Sequence, residues 1–279
     1  MIQLSNLGFE YGAKAAVFRG LNLTIPAGRS VGILGANGVG KTTLIKLLAG
    51  LLSPTEGAVA VLERTPRRRE TALYQSLYLV PEENALPAIS AVAYIKRFSV
   101  FYPKFDHRQC TELLARLSVD NGKKLTALSL GQRKKFIIAF ALSTGAQVLL
   151  MDEPTNGLDI PSKALFRESV IAHQTAEQTV LICTHQVRDL ESIIDSVVMM
   201  NEGSAHWFDL AELPNYISQV HGPVTSGTVL HSELRLGSPV SLVAGGHEQP
   251  TEIDLELLFN AFDQNYPGLM AAVAQEPRL

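Results

Sequence analysis

The stretch Gly35-Ala36-Asn37-Gly38-Val39-Gly40-Lys41-Thr42 constrains this chain more than any other part of it. It fits the spacing G-x-x-x-x-G-K-[ST]. It stands between an apolar run, Ser30-Val31-Gly32-Ile33-Leu34, and a segment in which Leu44, Leu47, Leu48 and Leu51 recur as one helix face. Glycines let backbone N–H groups converge on phosphate oxygens, and the following helix N-terminus adds partial positive charge. Lys41 supplies a mobile full charge for β and γ phosphates, and the Thr42 hydroxyl suits a Mg²⁺ that bridges them. A glycine-rich turn that merely joins strand to helix leaves the lysine and threonine of the first helical turn unexplained.

A second chemical signal follows an apolar strand. Leu149-Leu150-Met151-Asp152-Glu153 sets two carboxylates at a strand's C-terminal end, the edge where open α/β sheets bind ligands. Asp152 is placed to hold a hydrated metal ion, and Glu153 to orient or deprotonate an attacking water. Alone, Asp-Glu-Pro is an ordinary loop start. Behind a phosphate loop it completes a site, and a cation would relieve the repulsion between the two acids.

The rest of the chain alternates. Strands are expected at Val17 to Ile25, Ala58 to Leu62, Leu77 to Val80, Val148 to Met151, Val180 to Cys183 and Val197 to Met200. Helical patterns run from about Ala88 to Leu117, broken at Tyr102-Pro103, and from Gln132 to Leu142, which is apolar nearly all round. Helical segments are also expected after the Val148 and Val180 strands. This is the pattern of a mostly parallel sheet covered by helices. Past about residue 205, Pro, Gly and Ser become frequent. There Leu230, Leu234 and Leu236 alternate with polar residues as in a half-buried strand, and Asp254 to Phe262 reads as a short amphipathic helix.

Composition excludes several classes. A chain of 279 residues with 46% hydrophobic and 18% charged residues fills a core. A net charge of −3 offers no basic field, so no nucleic-acid partner is expected. Cys110 and Cys183 are far apart and form no metal or disulfide pattern, which fits a reducing cytosol. No signal stretch opens the sequence, and no apolar run is long enough to span a bilayer.

Further residues resemble a known family, the ABC ATPases. Leu128-Ser129-Leu130-Gly131-Gln132 resembles the signature usually written LSGGQ, and Asn156-Gly157-Leu158-Asp159 resembles the D-loop. Thr184-His185 matches the switch histidine, Tyr11 the aromatic that stacks on adenine, and Pro81-Glu82 the Q-loop position. The resemblance covers roughly residues 1 to 205. It implies a RecA-like P-loop core with an antiparallel β subdomain and a helical signature subdomain at about 83–145. Domain boundaries follow as 1–204 for the ATPase and 205–279 for a small α+β extension. It also implies head-to-tail dimers, with a second copy or a paralogous subunit, that hold ATP between one phosphate loop and the other signature.

The residues implied to bind nucleotide are Tyr11, Gly35, Asn37, Gly38, Gly40, Lys41, Thr42, Thr43, Ser129, Gly131, Gln132 and Asp159. Catalytic roles fall to Glu153, His185 and Glu82, and Mg²⁺ to Thr42, Asp152 and Glu82. Each has an ordinary alternative: Tyr11 as packing, His185 as a strand-end histidine, Ser129 and Asp159 as helix caps. Two positions depart from the family pattern. Leu130 replaces the first signature glycine and Glu82 replaces the usual glutamine.

The segment Arg97 to Asp106 resembles one in bacterial exporter ATPases of the bacitracin and lantibiotic type, or else an aromatic helix end packed into the helical lobe. The implied activity is Mg-dependent ATP hydrolysis energising a separate membrane permease, in the export direction, from the cytoplasmic face of the membrane. Residues near 83–105 are implied to contact that permease. The alternative is an ABC-type switch not coupled to transport, regulatory or DNA-processing.

Overall fold

The computed structural model describes residues 1–12, 15–83, 85–245 and 252–274. The chain opens with an antiparallel pair, β1 (Ile2–Glu10) and β2 (Ala16–Ile25). In β1, Ile2, Leu4, Leu7 and Phe9 are buried. Asn6, at φ 47°, forms the bulge that lets Leu4 and Leu7 face the same side although they are three apart. β3 (Ser30–Gly35) then runs into α1 (Lys41–Leu48), and β4 (Glu56–Val61) returns to pair with β1, giving the sheet order β2-β1-β4. The helix stops earlier than its leucine spacing suggests. Gly50, at φ 69°, turns the chain away, and Leu51 is exposed.

After α2 (Thr71–Tyr74) come β5 (Leu77–Val80), α3 (Ala91–Phe98), α4 (His107–Arg116) and α5 (Leu130–Ser143). Side-chain caps start the last three helices: Ser90 accepts from Ala93 N–H, Asp106 from Gln109 N–H and Ser129 from Gln132 N–H. The break between α3 and α4 is wider than Tyr102-Pro103, for a 3₁₀ turn occupies Ser99–Phe101 and α4 begins only at His107. From Phe136 to Ser143, α5 is buried at every position, as its all-round apolar pattern requires.

β6 (Val148–Asp152) leads to α6 (Ile160–His173), and β7 (Thr179–Cys183) to β8 (Ser196–Asn201). No α-helix follows β7. The connection holds only a 3₁₀ turn at Val187–Asp189, because Leu190 and Ile193 anchor it in the core within a few residues. β9 (Ser204–Asp209) pairs antiparallel with β8, so the central sheet has six strands in the order β5-β6-β7-β3-β8-β9, with the first five parallel. The sheet therefore runs past the boundary expected at residue 204.

The parallel strands are buried on both faces, which is why they read as continuous apolar runs. Their alternate residues serve two cores. Val148, Leu150, Leu181, Cys183, Val198 and Met200 pack with α1 and the small antiparallel sheet. Leu149, Met151, Val180, Ile182, Val197 and Met199 pack with α5 and α6.

The chain ends in a second antiparallel sheet, β10 (Ile217–His221), β11 (Thr228–Arg235) and β12 (Ser238–Ala244), ordered β10-β12-β11. α7 (Leu255–Gln264) and α8 (Tyr266–Val273) follow. Leu257, Leu258 and Phe262 join the same core as α5 and α6, so the extension is docked on the ATPase body. One sequence expectation fails here. Only Leu230 of the three alternating leucines is buried; Leu234 is 77% exposed and Leu236 sits at the exposed hairpin turn with φ 51°. A register shift between Val229 and His231 breaks the period that the alternation assumes.

Candidate active site

Parallel pairing gathers four loops at one edge. Gly35 ends β3, Val80 ends β5, Asp152 ends β6 and Cys183 ends β7, so the residues that follow each strand meet at the C-terminal rim. There a cavity of about 380 Å³ is lined by Asn37, Gly38, Gly40, Lys41, Thr42, Thr43, Glu82, Asp152, Glu153 and His185. Ten residues assigned from sequence thus line one cavity.

The phosphate loop is shaped by Gly40. It precedes α1 at φ 111°, and a Cβ there would meet Val17 Cγ1 at 2.7 Å and Phe18 Cζ at 2.9 Å. The turn brings Lys41, 9% exposed, back over its own loop, where Nζ donates to Gly35 O at 2.7 Å and Ala36 O at 3.1 Å. The Thr42 hydroxyl donates to Asp152 Oδ1 at 3.2 Å across the cavity.

Glu153 is the most constrained group. Its φ of 45° is left-handed, a conformation that costs a non-glycine residue on the order of 1 kcal/mol or more. Surrounding bonds hold it there. Its N–H donates to Cys183 O at 2.9 Å, and its carboxylate accepts from Thr184 Oγ1 at 3.0 Å and from His185 N–H at 3.0 Å. His185 Nδ1 lies 2.8 Å from the same carboxylate. A carboxylate only accepts, so His185 Nδ1 is the donor of this contact.

Electrostatics add to this picture. Burial pushes the Asp152 carboxyl up; the Thr42 hydrogen bond opposes this, and the charges of Glu82 and Glu153 add to the rise. Three carboxylates, Glu82, Asp152 and Glu153, thus line one cavity with Lys41. Thr42, Asp152 and Glu82 present hard oxygen donors suited to Mg²⁺, which takes one or two carboxylates plus substrate phosphates. Among the described residues no group of three or more His, Cys, Asp or Glu forms a metal cage.

Lys134 is a residue that sequence reading missed, and Thr184, quoted there only beside the switch histidine, was given no role of its own. Lys134 is 2% exposed on α5 and donates through Nζ to the Glu153 carbonyl oxygen. Burial lowers its affinity for a proton, against the pull of Glu82, Glu153 and Asp152. A lysine two residues before an otherwise apolar run was the available signal. Asn156 Nδ2 also reaches Glu82 Oε1 at 3.4 Å.

Other expected residues lie outside the cavity lining. Tyr11 is beside it, its hydroxyl 3.1 Å from Thr43 Oγ1 and its ring edge-on to Phe9. Ser129 caps α5, and Gly131 and Gln132 occupy its first turn. The position of a Cβ on Gly131 lies 3.4 Å from Gly157 O, so the signature turn rests on the loop that follows Glu153. Leu130 is 55% exposed and also packs over Gly157. Asp159 caps α6 by accepting from Ser162 N–H at 2.9 Å, and the Ser162 hydroxyl, together with that N–H, pulls its carboxyl below the usual range.

No helix among the described residues is long and apolar enough to cross a membrane. A family model described as "ABC transporter" matches residues 18–156. The ABC transporter ATP-binding protein NatA of Bacillus subtilis is 30% identical over 213 residues, 73% of this chain and 87% of NatA. The lantibiotic transport ATP-binding protein SrtF of Streptococcus pyogenes is 29% identical over 205 residues, covering 73% of this chain and 88% of SrtF. The dimeric post-hydrolysis structure of the ATP-binding cassette MJ0796 with ADP and Pi shares the fold, with a TM-score of 0.66 and 21% identity over 75% of this chain and 99% of that one. Similarity of this extent, running through both the phosphate loop and the acidic strand end, makes the chain a member of the ABC transporter family, and in it the ATP-binding subunit that acts as the ATPase.

Proposed function

We propose that this subunit powers export through a separate membrane permease, working as one of two head-to-tail cassettes at the inner face of the membrane. Likeness to SrtF, whose name assigns it to lantibiotic transport, and the segment Arg97 to Asp106 support the export reading. MJ0796, dimeric with ADP and Pi, supports the paired arrangement.

In this reading the loop amides from Gly35 to Gly40 cradle the phosphates, aided by Thr43, while Tyr11 stacks on adenine. Lys41 exchanges its two loop carbonyls for β and γ phosphate oxygens, a rotation its flexible stem allows. Mg²⁺, when bound through Thr42, Asp152 and Glu82, supplies charge neutralisation at the phosphates. Glu153 takes the proton of the attacking water, and His185 contacts the γ-phosphate. Ser129, Gly131, Gln132 and Asp159 complete the site of the opposing cassette, with the α5 N-terminus offering amides to the γ-phosphate.

The permease contact has a candidate surface. A cavity of about 380 Å³ lies beyond β5, walled by Tyr78, Tyr94, Phe98, Phe101 and Tyr102 with Phe140 at its floor. Val100 and Phe101 are 71% and 59% exposed at its rim. An apolar, aromatic groove of this kind suits a short amphipathic helix. We divide the chain into an ATPase unit ending after β9 and an extension beyond it, with the helical lobe at about 83–145.

The observation that carries the catalytic reading is the Glu153 carboxylate, fixed by Thr184 and His185 beside the phosphate loop. Glu153→Gln tests it. Turnover is expected to fall by on the order of a hundredfold or more while ATP still binds and the dimer accumulates. Normal turnover by that variant would remove Glu153 from the mechanism.

A further inference from the structure

The strongest feature not used by that mechanism is a partly buried ring of polar contacts behind the site. Asp189 ends the 3₁₀ turn that follows the switch histidine and is 7% exposed. Its Oδ2 accepts from Thr155 Oγ1 at 2.8 Å and from Lys163 Nζ at 2.8 Å, and Arg167 Nη1 lies 3.8 Å from Oδ1. Lys163 Nζ also donates to Gln186 Oε1. Gln186 N–H donates to Thr184 Oγ1 at 3.0 Å, and that hydroxyl donates to Glu153 Oε2 at 3.0 Å. The path Glu153–Thr184–Gln186–Lys163–Asp189–Thr155 therefore leaves one loop and returns to it two residues later.

A closed ring constrains motion in a way that separate bonds do not. The turn after His185 cannot shift without either breaking a buried bond or carrying Thr155 and Lys163 with it. Breaking one strands the buried hydroxyl of Thr155 or Thr184 or the half-buried Lys163 ammonium, which is costly. Thr155 and Lys163 flank Asp159, the loop residue assigned above to the opposing cassette. The extension reinforces the turn from the other side. Leu190 packs in the core that holds Leu257 and Leu258 of α7, and Arg188 lies 3.6 Å from Glu256.

We infer that Asp189 is a positioning residue that makes the switch turn and the 155–159 loop move as one unit, so that loss of the γ-phosphate sensed at His185 reaches the subunit interface. This rests on the ATPase reading given above. Asp189 does not line the nucleotide cavity and acts through Thr155 and Lys163.

The test uses the full-length chain and three variants. Thr155→Val removes one hydroxyl at nearly constant volume, Asp189→Ala removes the hub, and Asp189→Asn keeps an acceptor for Thr155. In folded Asp189→Ala and Thr155→Val, kcat for ATP is expected to fall on the order of ten- to a hundredfold. KM is expected to stay within about twofold, and Asp189→Asn to recover most of the rate. Hydrogen exchange of the nucleotide-free protein is expected to quicken together at 154–160 and 185–191 and to stay unchanged at 35–44. An unchanged kcat, a rise in KM alone, or faster exchange confined to one of the two loops would overturn the inference. Should Asp189→Ala fail to fold, Thr155→Val decides. A wild-type chain with no turnover would sink the ATPase reading instead, and the exchange pattern would still settle the coupling.

Discussion

The ring Nδ1 of His185 and the backbone N–H of the same residue both meet one oxygen, Glu153 Oε1, at 2.8 and 3.0 Å. In the proposed mechanism the sensor and the base are thus one hydrogen-bonded unit, and their effects on rate should not add. His185→Ala is expected to lower kcat on the order of a hundredfold with little change in ATP affinity. In a double-mutant cycle, Glu153→Gln with His185→Ala should be scarcely slower than Glu153→Gln alone. Additive losses in single-turnover assays would show that the two act separately.

The Lys134 ammonium serves the carbonyl of a residue held at φ 45°. Lys134→Met keeps the stem and removes the donor. The orphaned carbonyl and relaxed Glu153 should cost about 1–3 kcal/mol of stability, read as a lower urea midpoint, together with slower turnover. A midpoint equal to wild type would argue that another donor replaces it.

His206 of β9 lies 2.7 Å from the Tyr266 hydroxyl of α8, and burial lowers the His206 proton affinity below its ordinary value. The sign follows directly. Unfolded histidine titrates near ~6.5, so as pH falls through that value the unfolded chain takes up a proton before the folded one. The stabilisation is complete above about pH 6.5 and declines from there down to the folded pKa. His206→Phe should flatten that part of the profile in thermal melts at pH 5 to 8.

The aromatic groove makes a separable claim. Phe101→Ser changes an exposed rim residue, so the melting temperature should stay within a few °C of wild type. Association with the permease, measured by co-purification from native membrane, should weaken by about tenfold or more if this ring anchors the partner helix. Undiminished recovery of the permease would move the contact elsewhere.

Lys41→Ala should act at the binding step. Its Nζ is the one full positive charge of the phosphate loop, so equilibrium binding of a labelled ATP analogue should weaken on the order of tenfold or more. An unaltered affinity would mean that the loop amides alone hold the phosphates.

Local signals were legible in this sequence because local chemistry sets them. Gly40 and Lys41 can be read as a phosphate loop since the turn, the cap and the charge lie within a few residues. The parallel strands were visible as apolar runs because burial on both faces leaves no place for polar residues. Ser129 and Asp159 were readable as helix caps and are caps in the fold. Leu234 misled because a register shift, which no periodicity reveals, had already turned the strand over.

By itself, then, the sequence determined the family, the phosphate loop and the acids at the end of β6, all features confined to short stretches of chain. Tertiary structure alone decided that Lys134 would support Glu153, that Asp189 would join Thr155 to Lys163, and that α7 would seal the switch turn. Those contacts join residues far apart in sequence, and they exist only because the parallel sheet and its two cores bring distant strand ends to a common rim.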